Sequence, residues 1–245
     1  IKDVAAADKD QLQGPLALGT LPTIGPYVLP QFIPLLRQAS GQLSLYIEED
    51  KLPALTARLR SGELDAILVT APFNEPDIVS QALFDEPLVA LLPAGHRLAA
   101  RSVIAAADIE PSEVLLLGEG DPFREQVLAA FPHLRPASVQ PVRAGVCGST
   151  IETLRHMVAS RLGITIVPQT AAGIPLYSTQ VLVSRPFEAP APKRTLVLAW
   201  RVSFPRHRAI DLLRRAIQAS SAAYWNYSTM REMGATGLLV ANRDW

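Results

Sequence analysis

The chain has 245 residues, 49% hydrophobic and 19% charged, with 23 basic residues balanced by 23 acidic ones. That length and apolar content suffice for two lobes of roughly 100 residues, each with its own core, and the zero net charge excludes a whole-domain field able to hold a polyanion such as DNA. A single cysteine, Cys147, excludes an intramolecular disulfide framework. From residue 14 the hydrophobic pattern alternates between two periods. Residues 16–20 read as a short strand, 27–38 as a helix, 43–47 as an alternating strand, 51–61 as a helix closed by Gly62, and 64–70 as a buried strand. The middle of the chain repeats the scheme: strand 114–117, helix 122–131, strand 139–144, helix 150–161, strand 164–167. Pro122 opens its helix where proline is tolerated, and Gly163 is expected to close the next one.

Such alternation predicts an α/β protein with two βαβαβ lobes. Residues 88–92 and 195–200 sit where the chain passes between lobes and back, so two crossing strands form a hinge. Lobe I is expected over residues 14–86 and 196–224, and lobe II over 87–195. A helix over 206–224, with Ile210, Leu213 and Ile217 as its apolar stripe, packs on lobe I. Residues 1–13 and 225–245 stand apart as a linker and a C-terminal extension. Apolar runs such as 114–117 fall far short of the roughly 20 residues a spanning helix needs. No basic-then-apolar leader opens the chain, and the expectation is a cytoplasmic protein with no membrane partner.

In open α/β sheets the ligand site lies beyond the carboxyl ends of the strands, near helix N-termini. That rule selects the loops at 21–25, 70–73, 118–122 and 145–150, which supply Pro22, Thr23, Thr70, Asp121, Pro122, Ser149 and Thr150. Hydroxyls and free backbone N–H groups from both lobes then face one gap, and helix N-termini favour an anion there. Arg124 and Arg143 are the candidate cations for a charge-assisted contact. Ser and Thr at these positions also cap helices for stability alone, worth about 1 kcal/mol each. His96, His133, His156 and His207 are scattered without ligand spacing, so no metal site is expected. Asp85 and Glu86 belong to the lobe junction. No phosphate loop, nucleophile elbow or metalloprotease motif is present, so neither a cofactor nor catalysis is expected.

Several stretches resemble one family. Residues 21–30 (LPTIGPYVLP), 83–87 (LFDEP), 123–126 (FREQ), 150–159 (TIETLRHMVA) and 163–168 (GITIVP) together look like the regulatory domain of LysR-type transcriptional regulators, in the OxyR-like branch. They span about residues 14–222 in the family's order. The resemblance implies a type 2 periplasmic-binding-protein-like fold, two Rossmann-like lobes joined by crossing strands. It also implies a DNA-binding winged helix-turn-helix upstream of Ile1, a small-molecule effector, and pairing of these domains in a homodimer or tetramer. For that pairing the helix at 27–38 offers Phe32, Ile33 and Leu36 as an exposed apolar face, with Ala171 and Ala172 as a small flat surface on the other lobe. Leu52 occupies a place where such domains often carry a polar ligand contact.

The departure from OxyR-like domains concerns their peroxide-reactive cysteine, which the resemblance places at Pro122, with its histidine neighbour at Asp121 and its partner cysteine near Phe131. Proline has no nucleophilic atom, and Asp121 would raise a neighbouring thiol's pKa where activation requires lowering it. The expected function is therefore sensing of a small anionic or carboxylate effector, with apolar Leu52, Pro122 and Phe123 favouring some carbon skeleton. Alternatives are redox response through Cys147, a free-standing solute-binding protein, and a regulator locked in one state.

Overall fold

The protein is described here from a computed structural model covering residues 11–135, 148–173 and 178–232. Strand β1 (Gly14–Thr20) buries Leu16 and Leu18 and lies parallel to both β2 (Leu43–Glu49) and β3 (Ala66–Thr70). β3 is buried at every position, as its unbroken apolar run requires of a central strand. Between these strands run α1 (Gly25–Ala39) and α2 (Leu52–Ser61). Gly62 ends α2 in the left-handed conformation, at φ 87°. In α1, Pro26, Pro30 and Pro34 fall four residues apart on the exposed face, where water can satisfy the carbonyls that proline leaves without a helical donor.

Strand β4 (Ile78–Pro93) is the spine of the molecule. Its first part pairs antiparallel with β8 (Lys193–Arg201), with an irregularity between Ala82 and Phe84. Its second part pairs antiparallel with β6 (Ile164–Pro168) and β7 (Leu182–Pro186). β5 (Val114–Leu115) lies parallel to β6, giving the order β2-β1-β3-β8-β4-β6-β5, with β7 branching from β4. The parallel pairing expected from βα alternation holds inside each lobe, and the crossing strands are antiparallel. Two hydrophobic cores follow. One gathers Leu18, Phe32, Leu55, Ile67, Leu198 and Leu213; the other gathers Leu92, Val127, Phe131, Leu154, Val158 and Ile166.

Helix α3 (Pro122–Ala130) and helix α4 (Ile151–Ala159) lie in the second lobe, followed by the short α5 (Gln169–Gly173) and the final α6 (His207–Glu232). Several boundaries differ from the sequence expectation, the first hinge strand most, at Ile78–Pro93 against 88–92. The strand expected over 114–117 is shorter, with Leu117 returning as an isolated bridge to Gly148. The last helix continues beyond 224, to Glu232. The chain leaves α4 through Arg161, at φ 59°, and not through Gly163. Gly163 serves close approach instead: a Cβ there would stand 2.5 Å from the Glu113 carbonyl oxygen. β7 and α5 went unanticipated because both are short. The expected strand at 139–144, Arg143 and Cys147 lie outside the described residues. No helix among the described residues is long and apolar enough to cross a membrane.

Candidate functional site

The lobes meet at β4 and β8, whose register sets Glu86 opposite Arg194 and Asp85 opposite Thr195. Successive side chains leave a strand on opposite faces, so Asp85 and Glu86 enter different environments. Asp85 pairs with Lys193 at 2.5 Å and accepts from the Thr195 hydroxyl at 2.6 Å, at an exposed position. The Lys193 ammonium, then the Thr195 hydroxyl, hold its carboxyl below the usual range. Glu86 and Arg194 are paired at 2.7 Å with side chains 0% and 2% exposed.

That buried pair is fully engaged. Glu86 Oε1 accepts from the Thr170 backbone N–H at 3.1 Å and from its hydroxyl. Arg194 Nη1 and Nη2 donate to the Thr23 hydroxyl at 3.2 Å and the Thr23 carbonyl at 2.8 Å. The Phe123 ring centroid lies 5.4 Å from the guanidinium carbon, within cation–π range. One hinge pair therefore ties Thr23 in lobe I to Thr170 and Phe123 in lobe II, and satisfying its donors and acceptors is what makes burial of both charges tolerable.

Two more contacts cross between lobes. Tyr27 belongs to α1 yet packs in the second-lobe core, within the electrostatic influence of Glu152 on α4. Burial first, and then Glu152, push the phenol well above its usual range, so Tyr27 stays a neutral donor. Glu152 also accepts from Arg155 Nη1 at 3.2 Å. On the other side, Gln126 Nε2 on α3 donates to the buried Thr70 hydroxyl at 2.8 Å, while Gln126 Oε1 is buried without a partner.

The residues selected from the sequence separate into groups. Thr23 and Thr70 are drawn into lobe-bridging bonds, as just described. Thr150 caps α4, its hydroxyl accepting from the Thr153 N–H at 3.1 Å; Thr150 and its neighbour Ser149 are both exposed. Asp121 caps α3, accepting from the N–H groups of Phe123 at 2.8 Å and Arg124 at 3.3 Å. Its own carboxylate thus occupies the anion position at that helix end. Arg124 Nη1 donates to the Leu117 carbonyl at 2.9 Å. Pro22 and Pro122 are exposed, and Leu52 is half-buried against the first-lobe core.

The expected pairing surface needs correction. Phe32, Leu36 and Ala171 are buried inside the chain, at 0%, 1% and 0% exposure, while Ile33 and Ala172 are half-buried against the same two cores. The apolar stripe of α1 is turned inward because α1 packs on α6 and on the sheet.

Arg194, Thr170, Tyr27 and Gln126 were missed as lobe connectors. A signal for the first existed: the pairs Asp85-Glu86 and Lys193-Arg194 stand on two strands expected to cross, and opposite charges facing each other across a ladder stabilise it. Thr170, Tyr27 and Gln126 carry no comparable mark.

Residues 9–222 match the model of the LysR substrate binding domain. The DNA-binding transcriptional dual regulator OxyR of Escherichia coli K12 is 32% identical over 219 residues, covering 89% of this chain and 70% of that protein. The reduced OxyR regulatory domain of Pseudomonas aeruginosa superposes with a TM-score of 0.78 at 44% identity, covering 85% of this chain and 99% of that one. A full-length OxyR variant from the same organism gives a TM-score of 0.79 at 45% identity, covering 89% and 71%. With proline and phenylalanine at 122 and 131 and its one cysteine at 147, the chain belongs to the LysR substrate-binding-domain family, as an OxyR-like regulatory domain without the sensing cysteines of that branch.

Proposed function

We propose that this regulatory domain binds a small anionic or carboxylate effector in the gap between its lobes, and that occupancy alters lobe closure and with it the geometry of an oligomer. DNA contact would come from a separate domain, as the family resemblance implies. The observation that carries this reading is the Arg194 guanidinium, which joins Thr23 to Glu86 and, through Glu86, to Thr170. A carboxylate drawn to the turn at Thr23 accepts from the Thr23 hydroxyl, whose oxygen in turn accepts from that guanidinium. Binding and lobe coupling are then one equilibrium, as a ligand that shifts conformations requires. The start of α1 adds support, since it has no side-chain cap to occupy its positive end. With Thr150 engaged as a helix cap, Thr23 is the hydroxyl on which this reading turns.

Calorimetric titration of the chain with small carboxylates, sulfate and peroxide tests it. The expected result is saturable heat from one or more carboxylates, weakened about tenfold in Thr23→Val, the loss of one charge-assisted hydrogen bond. Silence from every carboxylate overturns the reading. A second reading, redox response through Cys147, draws support from relatives called hydrogen peroxide-inducible genes activators. The peroxide arm separates it, because covalent modification of Cys147 in place of carboxylate binding would favour redox sensing.

A further inference from the structure

The chain leads into lobe I through residues 11–13 and turns into β1 at Gly14, whose φ of 78° lies in the left-handed region that favours glycine. β1 pairs with β2 from Gly14 onward but with β3 only from Leu18. The carbonyls at the start of β1, and those of the turn before it, therefore need donors from outside the sheet.

One side chain supplies them. Arg206, just before α6, donates from Nε to the Gln11 carbonyl at 3.0 Å, from Nη1 to the Pro15 carbonyl at 2.8 Å, and from Nη2 to the Gln13 carbonyl at 2.8 Å and more weakly to the Gly14 carbonyl at 3.4 Å. Gln11 returns a bond, its Oε1 accepting from the Arg208 N–H at 3.1 Å, one of the donors that the first turn of a helix leaves unmet. A rigid planar fork meets several carbonyls at once, whereas a lysine ammonium at the same place reaches fewer of them. The segment that carries Arg206 is itself fixed. Arg201, at the end of hinge strand β8, donates from Nη1 to the carbonyls of Leu59 and Leu64, and Phe204 is buried in the first-lobe core with its N–H on the Arg201 carbonyl at 3.0 Å.

From this we infer that Arg206 is an anchor that sets the direction in which the chain leaves lobe I upstream of Gln11. Its guanidinium makes residues 11–13 part of the rigid frame of β8 and α6, where the amino-acid pattern alone marks them as a linker. A domain joined to this chain before Gln11 is then held at a fixed angle to lobe I and not on a free swivel, so a change in lobe geometry reaches it as a change in orientation. The anchor needs no effector and is independent of the gap at Thr23.

Backbone nitrogen relaxation of the chain, measured by NMR, tests it at Gln11 and Gln13, because Leu12 between them also packs partly against the first-lobe core. Their order parameters are expected at about 0.85, the value of rigid backbone, and below about 0.6 in Arg206→Met, with lobe II unchanged. Arg206→Lys, which keeps the charge and loses the fork, is expected to loosen them nearly as far. Gln11→Ala approaches from the other side: the Arg208 amide exchanges with solvent about tenfold faster, since it loses its acceptor, while α6 beyond its first turn keeps its rate. Order parameters at Gln11 and Gln13 that are low in the unsubstituted chain, unchanged in Arg206→Met, or fully kept in Arg206→Lys overturn the anchor, as does an Arg208 amide indifferent to Gln11→Ala.

Discussion

Replacing Glu86 with alanine lowers the unfolding free energy by about 3–5 kcal/mol, because it strands the Arg194 guanidinium in the interior without its counter-charge. With both side chains nearly inaccessible, water cannot take over the role of the carboxylate. The loss also removes the acceptor for the Thr170 N–H. Urea titration followed by circular dichroism reads it as a lower midpoint. Adding Arg194→Met in the Glu86→Ala background recovers part of the stability, since replacing both members of a buried pair with apolar groups is often close to neutral. A Glu86→Ala loss below about 1 kcal/mol would show that the pair is solvated in solution and does not tie the lobes.

The second large effect separates core from interface. Phe32→Ala costs about 3–5 kcal/mol, the range for deleting a buried aromatic side chain, since Phe32 is inaccessible in a single chain and sits in the first-lobe core. Unfolding by urea at several protein concentrations measures it, and the loss is expected to be independent of concentration. Ile33→Asp, at the half-buried neighbour, is the variant for an intersubunit role: a fall in solution mass with the fold retained would place Ile33 between protomers. A Phe32→Ala loss that vanished on dilution would instead make Phe32 part of a partner surface.

The architecture was legible because its signals are local. The buried run at β3, the Gly62 stop after α2 and the proline start of α3 each announce an element within a few residues of itself. Segments failed where local marks were weak, as with the five residues of β7, or where a mark had another cause, as with Gly163, which makes room for Glu113. The site was less legible for a different reason. Thr23 and Thr70 were found because loops at strand ends can be located from the pattern, but their partners Arg194 and Gln126 are 171 and 56 residues away in the chain. Periodicity reports which face of an element is apolar, and it is silent on which distant element covers that face. Phe32 and Leu36 illustrate this: the same stripe reads as an interface or a core until α6 is placed against it.

The two adjacent hinge pairs, Asp85–Lys193 in solvent and Glu86–Arg194 in the interior, have a consequence for behaviour in different buffers. Mobile ions partly screen solvent-exposed ion pairs and barely reach buried ones. Raising salt therefore weakens the outer pair and leaves the inner one in place. The strands that join the lobes hold their register across changes in ionic strength that dissociate proteins from DNA phosphates, so the lobe arrangement of this chain would outlast in salt any DNA contact made by a separate domain.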